Sequence, residues 1–231
     1  MTPQRDLDAV LLDLHGTLVR PRPASTWVAG ALAHAGRPGT AEHLVPDAGG
    51  RAALLDGLDR IWERAGEVDP GNARDLDARR HREVFDVLVG PLPGVDAGLV
   101  DALYATLLDV WTPFPDTLPT LQALAALGVR TAVLSNVGID VRPVLRRTGI
   151  AGLVDAVVLS CEHGVVKPDP ELFRRALGAV GAAPERTLMV GDNWRDDGAA
   201  AALGIRTLVL PAALGDRHGL AGVPALVTAS A

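Results

Sequence analysis

One cysteine, Cys161, and one lysine, Lys167, are the scarcest reactive side chains in this 231-residue chain. A single thiol excludes an intramolecular disulfide framework. It points to a reducing compartment in which Cys161 is a small packing residue. Basic charge is also short: 22 Lys+Arg stand against 28 Asp+Glu, for a formal charge of −6, and no basic run stands out. That balance argues against a nucleic-acid partner and for a small-molecule one. No apolar stretch approaches the roughly 18 residues that span a bilayer. The opening Met1-Thr2-Pro3-Gln4-Arg5-Asp6 lacks the basic-then-apolar layout of a signal peptide. The expectation is a cytoplasmic protein with no membrane partner. Internal repeats, low-complexity tracts and long linkers are absent too.

What is present is an alternation of short apolar runs with helix-length segments. Ala9–Asp13, Val129–Leu134, Ala156–Leu159, Thr187–Val190 and Thr207–Leu210 have the continuous apolar character of buried parallel strands. Pro119–Leu127 ends at Gly128, Pro170–Val180 follows Asp169 and ends at Gly181, and Asp196–Leu203 ends at Gly204. These are helix starts and stops. The rhythm predicts a doubly wound parallel α/β sheet, with ligands outside the carboxyl ends of its strands. From about Arg20 to Pro113 the rhythm breaks: no convincing strand appears, and Ser25–Ala35, Arg51–Glu67, Arg74–Val89 and Asp96–Val110 read as helices between Gly/Pro-rich turns. The expected organisation is an α/β core of residues 1–19 and 114–231, interrupted by a helical insert of residues 20–113.

Four segments carry residues suited to chemistry. They are Asp13-Leu14-His15-Gly16-Thr17; Ala132-Val133-Leu134-Ser135-Asn136; Gly164-Val165-Val166-Lys167-Pro168-Asp169-Pro170; and Met189-Val190-Gly191-Asp192-Asn193-Trp194-Arg195-Asp196-Asp197. Together, and in this order, they resemble the four motifs of the haloacid dehalogenase (HAD) superfamily. The resemblance implies a Rossmann-like core, an insert acting as a C1-type cap, Asp13 as nucleophile, a hydroxyl at Ser135 and a lysine at Lys167 facing the phosphate. It also implies Mg²⁺ held by Asp13, the backbone carbonyl of His15 and Asp192, with Asp196 and Asp197 as further acidic candidates. The first motif departs from the family pattern, because His15 stands where phosphatases have a second Asp.

The residue types make chemical sense in these roles. An ionised Asp13 can attack phosphorus and split hydrolysis into two easier steps. Mg²⁺ between Asp13 and Asp192 relieves anion–anion repulsion, since it takes hard oxygen ligands from carboxylates, waters and a substrate phosphate. Lys167 adds a second positive charge, while Thr17, Ser135, Asn136 and the backbone amides of Leu14 to Thr17 are candidate phosphate ligands. Trp194 is a candidate for the pocket mouth or for packing on the cap. His34, His43, His81 and His218 have no spacing that points to a metal site, and read as surface or structural.

His15 leaves three readings open. An imidazole of ordinary pKa near 6.5 can act as acid and base, although a cationic His beside Mg²⁺ is disfavoured, which makes it a better base than acid. The first reading is therefore a Mg²⁺-dependent phosphatase acting through an aspartyl-phosphate on Asp13, on a small metabolite with a good leaving group. The second is a haloacid dehalogenase using an aspartyl ester without metal, against which Gly191-Asp192 stands. The third is a phosphate-binding or regulatory protein that has lost turnover, against which the joint presence of Asp13, Lys167 and Asp192 stands. A phosphonate hydrolase would need a cap lysine, and the chain has none to spare. Arg20, Arg22 and the Arg79-Arg80-His81-Arg82 cluster are candidates for a second anionic group, the cluster being read first as a solvated helix face. Hinges are expected near Val19–Pro23 and Thr112–Asp116.

Overall fold

The computed structural model describes residues 6–211 and 218–228. In chain order, its first half contains β1 (Ala9–Leu12), β2 (Val19–Pro21), α1 (Ala24–His34), α2 (Ala41–Leu44), α3 (Ala48–Asp59), α4 (Ile61–Val68), α5 (Ala78–Val89) and α6 (Ala97–Ala105). The second half contains β3 (Trp111–Pro113), α7 (Thr117–Ala126), β4 (Arg130–Ser135), α8 (Arg142–Arg147), β5 (Ala156–Leu159), α9 (Ser160–His163), α10 (Pro170–Val180), β6 (Thr187–Gly191), β7 (Arg206–Val209) and α11 (Val223–Thr228). These elements form two compact units, one of residues 1–20 and 112–231 and one of residues 21–111. No helix among the described residues is long and apolar enough to cross a membrane.

The first unit is built on a parallel sheet in the order β5-β4-β1-β6-β7. The predicted parallel α/β architecture is thus what the chain forms. All four residues of β1 are buried, as a central strand covered on both faces requires. Ala9 and Leu11 pack in one cluster with Leu172, Phe173 and Ala176 of α10. That helix starts where its sequence says it should: Asp169 accepts the amide of Glu171, Pro170 occupies the first turn, and Gly181 closes it in the left-handed region at φ +57°.

Strand order decides where the chemistry meets. Leu12 is in register with Val133 of β4 and with Val190 of β6. The carboxyl ends of β1, β4 and β6 therefore lie side by side, although Asp13, Ser135 and Asp192 are far apart in the chain. A separate two-stranded sheet pairs β2 with β3; neither strand was expected.

The second unit is helical and departs from the expected segments in three places. The helix expected over Arg51–Glu67 breaks at Arg60 (φ −106°, ψ 18°) into α3 and α4. Leu54, Leu58, Ile61 and Ala65 are buried across the break and keep helical spacing, so periodicity alone could not show it. The segment Arg74–Val89 becomes a 3-10 turn over Ala73–Asp75 followed by α5, because Asp77 caps α5 by accepting from Arg80. The helix expected over Asp96–Val110 stops at Ala105, where the Thr106 hydroxyl turns back onto the carbonyls of Ala102 and Leu103. In the first unit, Asp196–Leu203 is likewise shortened to a 3-10 helix over Gly198–Leu203.

Candidate active site

Asp13 follows the last residue of β1 and is tied to the sheet by its own amide, which donates to the Val190 carbonyl at 2.9 Å. The chain then turns sharply. The Leu14 carbonyl accepts from Leu18 at 2.8 Å and Val19 at 2.9 Å, and Gly16 N–H donates to Val19 at 2.8 Å. Gly16 sits at φ +86°, a conformation other residues adopt only with strain. The amides of Gly16 and Thr17 were expected to face a phosphate. They instead close the turn, Thr17 donating to Leu14 at 3.4 Å.

Lys167 reaches this strand end from the loop before α10. Its ammonium donates to Asp13 Oδ1 at 2.7 Å, Asp197 Oδ1 at 2.6 Å and the Leu134 carbonyl at 3.2 Å, with the residue only 2% exposed. Two carboxylates raise its pKa and keep it charged despite burial. Burial is the largest influence on Asp13 and pushes its carboxyl up, opposed by the Lys167 charge. A divalent cation would oppose it further.

One oxygen each from Asp13, Asp192 and Asp197 lie within 4.8 Å of one another. Two glycines make this approach possible. A Cβ on Gly16 would fall 2.3 Å from Asp192 Oδ2, and one on Gly191 would fall 2.0 Å from Asp197 Oδ2. Three hard oxygen donors around one point, with a single ammonium between two of them, suit a small divalent cation such as Mg²⁺. Thr17, fully buried, sits with its hydroxyl 3.5 Å from Asp192 Oδ1, at the limit of a hydrogen bond.

The two candidate acids at the end of the fourth motif separate. Asp197 is fully buried and holds both Lys167 and the Asn193 amide, the latter at 3.0 Å. Asp196 is outside the three-carboxylate cluster. Its Oδ2 accepts from Asn193 Nδ2 at 2.9 Å in a turn that Asn193 also closes by accepting from Arg195 and Asp196. Of the two further acidic candidates, Asp197 thus joins the cluster and Asp196 lies outside it.

Asn136 is also placed differently from expectation. Its side chain accepts from Lys167 N–H at 2.7 Å and donates to Lys167 C=O at 2.9 Å, bracing the lysine's main chain. Ser135, the last residue of β4, is buried. His15 is half-buried in the turn, and burial pushes its pKa down to about 4, so the ring is neutral near neutrality. Trp194 is 68% exposed with the Arg195 guanidinium over its ring.

The remaining candidates sort by burial. Arg79, Arg80 and Arg82 pair with Glu83, Asp69, Asp86 and Asp101 within the helical unit; Arg79 is exposed, whereas Arg80 reaches the buried Asp69. His34 and His43 are exposed. His81 is buried, with Nδ1 3.1 Å from Tyr104 Oη and its ring against Trp62. His218, expected to be no more than surface or structural, is buried in the first unit.

Fold and site together define a Rossmann-like α/β enzyme with a lysine-bridged carboxylate centre at the carboxyl edge of its sheet. The chain belongs to the haloacid dehalogenase-like hydrolases, whose family model matches residues 7–204. It is 30% identical over 220 residues to a phosphoserine phosphatase of Thermus thermophilus, covering 86% of each chain. A glyceraldehyde 3-phosphate phosphatase of Methanopyrus kandleri is 35% identical over 123 residues; the chain spans about half of that relative's length, 53%, with 51% of its own. Among solved structures, a defluorinating L-2-haloacid dehalogenase superposes with a TM-score of 0.68 over 96% of both chains, at 23% identity. That similarity extends to the fold alone.

Proposed function

We propose that this HAD-family hydrolase is a Mg²⁺-dependent phosphatase that acts on a small phosphorylated metabolite through an aspartyl-phosphate on Asp13. The observation that carries this reading is the convergence of Asp13, Asp192 and Asp197 within 4.8 Å, beside a lysine already shared by two of them. A dehalogenase attacking an uncharged carbon has no need of a third carboxylate. A phosphatase needs a cation there to bring an anionic substrate to an anionic nucleophile. Asp13, Asp192 and the carbonyl of His15 would hold Mg²⁺, which supplies charge neutralisation at the phosphoryl oxygens when bound.

In the first step Asp13 forms a bond to phosphorus as the bond to the leaving oxygen breaks. Lys167 orients the nucleophile through Oδ1, and Thr17 and Ser135 bind phosphoryl oxygens. Asn136 keeps Lys167 in place, and Asp197 anchors the ammonium from the other side. In the second step His15, neutral near pH 7, takes the proton of the water that attacks the aspartyl-phosphate, which restores the Asp13 carboxylate and releases phosphate. A neutral imidazole is a poor acid, so the first step favours leaving groups that depart with little protonation, such as those of acyl or sugar-1-phosphates. The helical unit, inserted between the first and second motifs, serves as the cap, with substrate choice made there. The one free thiol fits a cytoplasmic location.

A second reading, aspartyl-ester dehalogenation, is favoured by one feature: His15 replaces the acid of phosphatases. Phosphate release from a panel of small phosphoesters and an aryl phosphate, with Mg²⁺ or chelator, separates the two. Activity that requires both Mg²⁺ and Asp13, lost in Asp13→Asn and raised for poor leaving groups in His15→Asp, supports the phosphatase. Halide release from 2-haloacids without metal, and no phosphate release, would overturn it.

A further inference from the structure

Strands β4 and β5 end in register, Ser135 beside Leu159, so the segments that leave them start side by side. The first begins with Asn136; the second opens with α9 and continues to Lys167. Three side chains join them. Asn136 clasps the main chain of Lys167, and on the exposed side Arg142 forks onto Glu162 at 2.6 Å and 3.1 Å. The deepest joint is Ser160, which is fully buried: its hydroxyl accepts from Val137 N–H at 2.8 Å and donates to Val137 C=O at 3.3 Å.

A hydroxyl is donor and acceptor at once, so one Ser160 Oγ satisfies both main-chain groups of a buried residue that has left the strand ladder. Val137 follows Asn136 directly, Asn136 holds Lys167 at both main-chain groups, and Lys167 donates to Asp13 Oδ1 at 2.7 Å. Every link from Ser160 to that grip on Lys167 is a hydrogen bond or a peptide bond. Asn136 can hold the lysine in place only where its own backbone is fixed. The exposed Arg142–Glu162 pair contributes little to that; the buried hydroxyl does so from both sides of the Val137 peptide.

We infer that Ser160 is a positioning residue for the reaction: by fixing Val137 it sets the backbone from which Asn136 holds Lys167 against Asp13. The inference rests on the reading above in which Lys167 orients the nucleophile. It adds a residue outside the four chemical segments, acting through the main chain.

The test compares Ser160→Ala with Thr187→Val. Thr187 is also a buried residue whose hydroxyl donates to a main-chain carbonyl, that of Ala183 at 2.8 Å, but it opens β6 at the opposite end of the sheet. Each substitution removes a hydroxyl without adding bulk, and each should lower the urea midpoint. Only Ser160→Ala should lower kcat on an aryl phosphate with Mg²⁺, by about tenfold, with KM nearly unchanged, the signature of an interaction made in the transition state. Amide exchange reads the same linkage without turnover. Relative to the slowest amides of β1, the Lys167 N–H should exchange about tenfold faster in Ser160→Ala and at the wild-type rate in Thr187→Val.

An unchanged kcat in Ser160→Ala, or an equal fall in both variants, overturns the inference; so does a Lys167 amide that exchanges alike in all three proteins. A measurement on wild type alone covers a Ser160→Ala that fails to fold: the amides of Val137 and Lys167 should exchange with one common urea dependence, as parts of a single opening unit, and separate dependences overturn the inference. If wild type releases no phosphate while the Lys167 amide responds to Ser160→Ala, the phosphatase reading fails and the linkage from Ser160 to Lys167 is supported.

Discussion

The side-chain amide of Asn136 holds the main chain of Lys167 at both ends, accepting its N–H at 2.7 Å and donating to its C=O at 2.9 Å. The residue that follows β4 and the lysine in the loop before α10 are thereby one mechanical part. Asn136→Ala removes both bonds and leaves two main-chain groups to find water. The expected result is a 10–100-fold drop in kcat/KM, from misplacement of the ammonium, with a stability loss of about 1–3 kcal/mol. Asn136→Asp, which keeps the acceptor and loses the donor, should fall between. Steady-state kinetics and urea denaturation check both; full activity in Asn136→Ala would remove the brace from the mechanism.

Two glycines are predicted to be intolerant of a single methyl group. Gly191→Ala sets a Cβ 2.0 Å from Asp197 Oδ2, and Gly16→Ala sets one 2.3 Å from Asp192 Oδ2 while forcing alanine to φ +86°. Each should lower kcat/KM by about 100-fold or more, since displacement by an ångström is enough. Gly16→Ala should also raise the Mg²⁺ concentration needed for half-maximal rate. Gly198→Ala, with open space around its Cβ, is the control and should behave as wild type.

Removing Lys167 leaves Asp13 and Asp197 buried without their shared cation. Lys167→Met should abolish turnover and cost about 3–5 kcal/mol near neutral pH, as a broken buried ion pair does. The pH dependence has a definite sign. Burial already raises the Asp13 pKa and Lys167 opposes that, so without the lysine the folded-state pKa climbs further above its unfolded value. A raised carboxyl pKa stabilises below the unfolded pKa and loses that contribution as pH rises through the folded one. The deficit relative to wild type should therefore shrink between pH 8 and pH 5. A deficit that grows on acidification would contradict this.

His81 supplies a pH effect remote from the site. Burial, with help from Arg74, pushes its pKa down to about 4. The unfolded imidazole takes its proton near 6.5, so the folded state loses stability as pH falls from 6.5 towards 4. The contribution is about 2 kcal/mol between pH 7.5 and 5. Urea midpoints should fall less with acidification in His81→Gln than in wild type, and identical slopes would show that His81 stays solvated.

Order along the chain was enough to place the five parallel strands, the helix of Pro170–Val180 and the four chemical segments. Buried parallel strands, prolines at helix starts and glycines at helix stops are local signals that survive without knowledge of neighbours. Other features depend on which way a side chain points across tens of residues. Asp196 and Asp197 are adjacent and chemically alike, and only the turn closed by Asn193 sends one to Lys167 and the other away from it. The break at Arg60 hides inside an unbroken apolar spacing. Ser160 has no local mark at all, because its partner, the main chain of Val137, is brought to it only by the parallel pairing of β4 with β5. Local periodicity and turn chemistry settled the elements and the kinds of residues at the site; distances between remote side chains, set by strand order and packing, settled which of them act together.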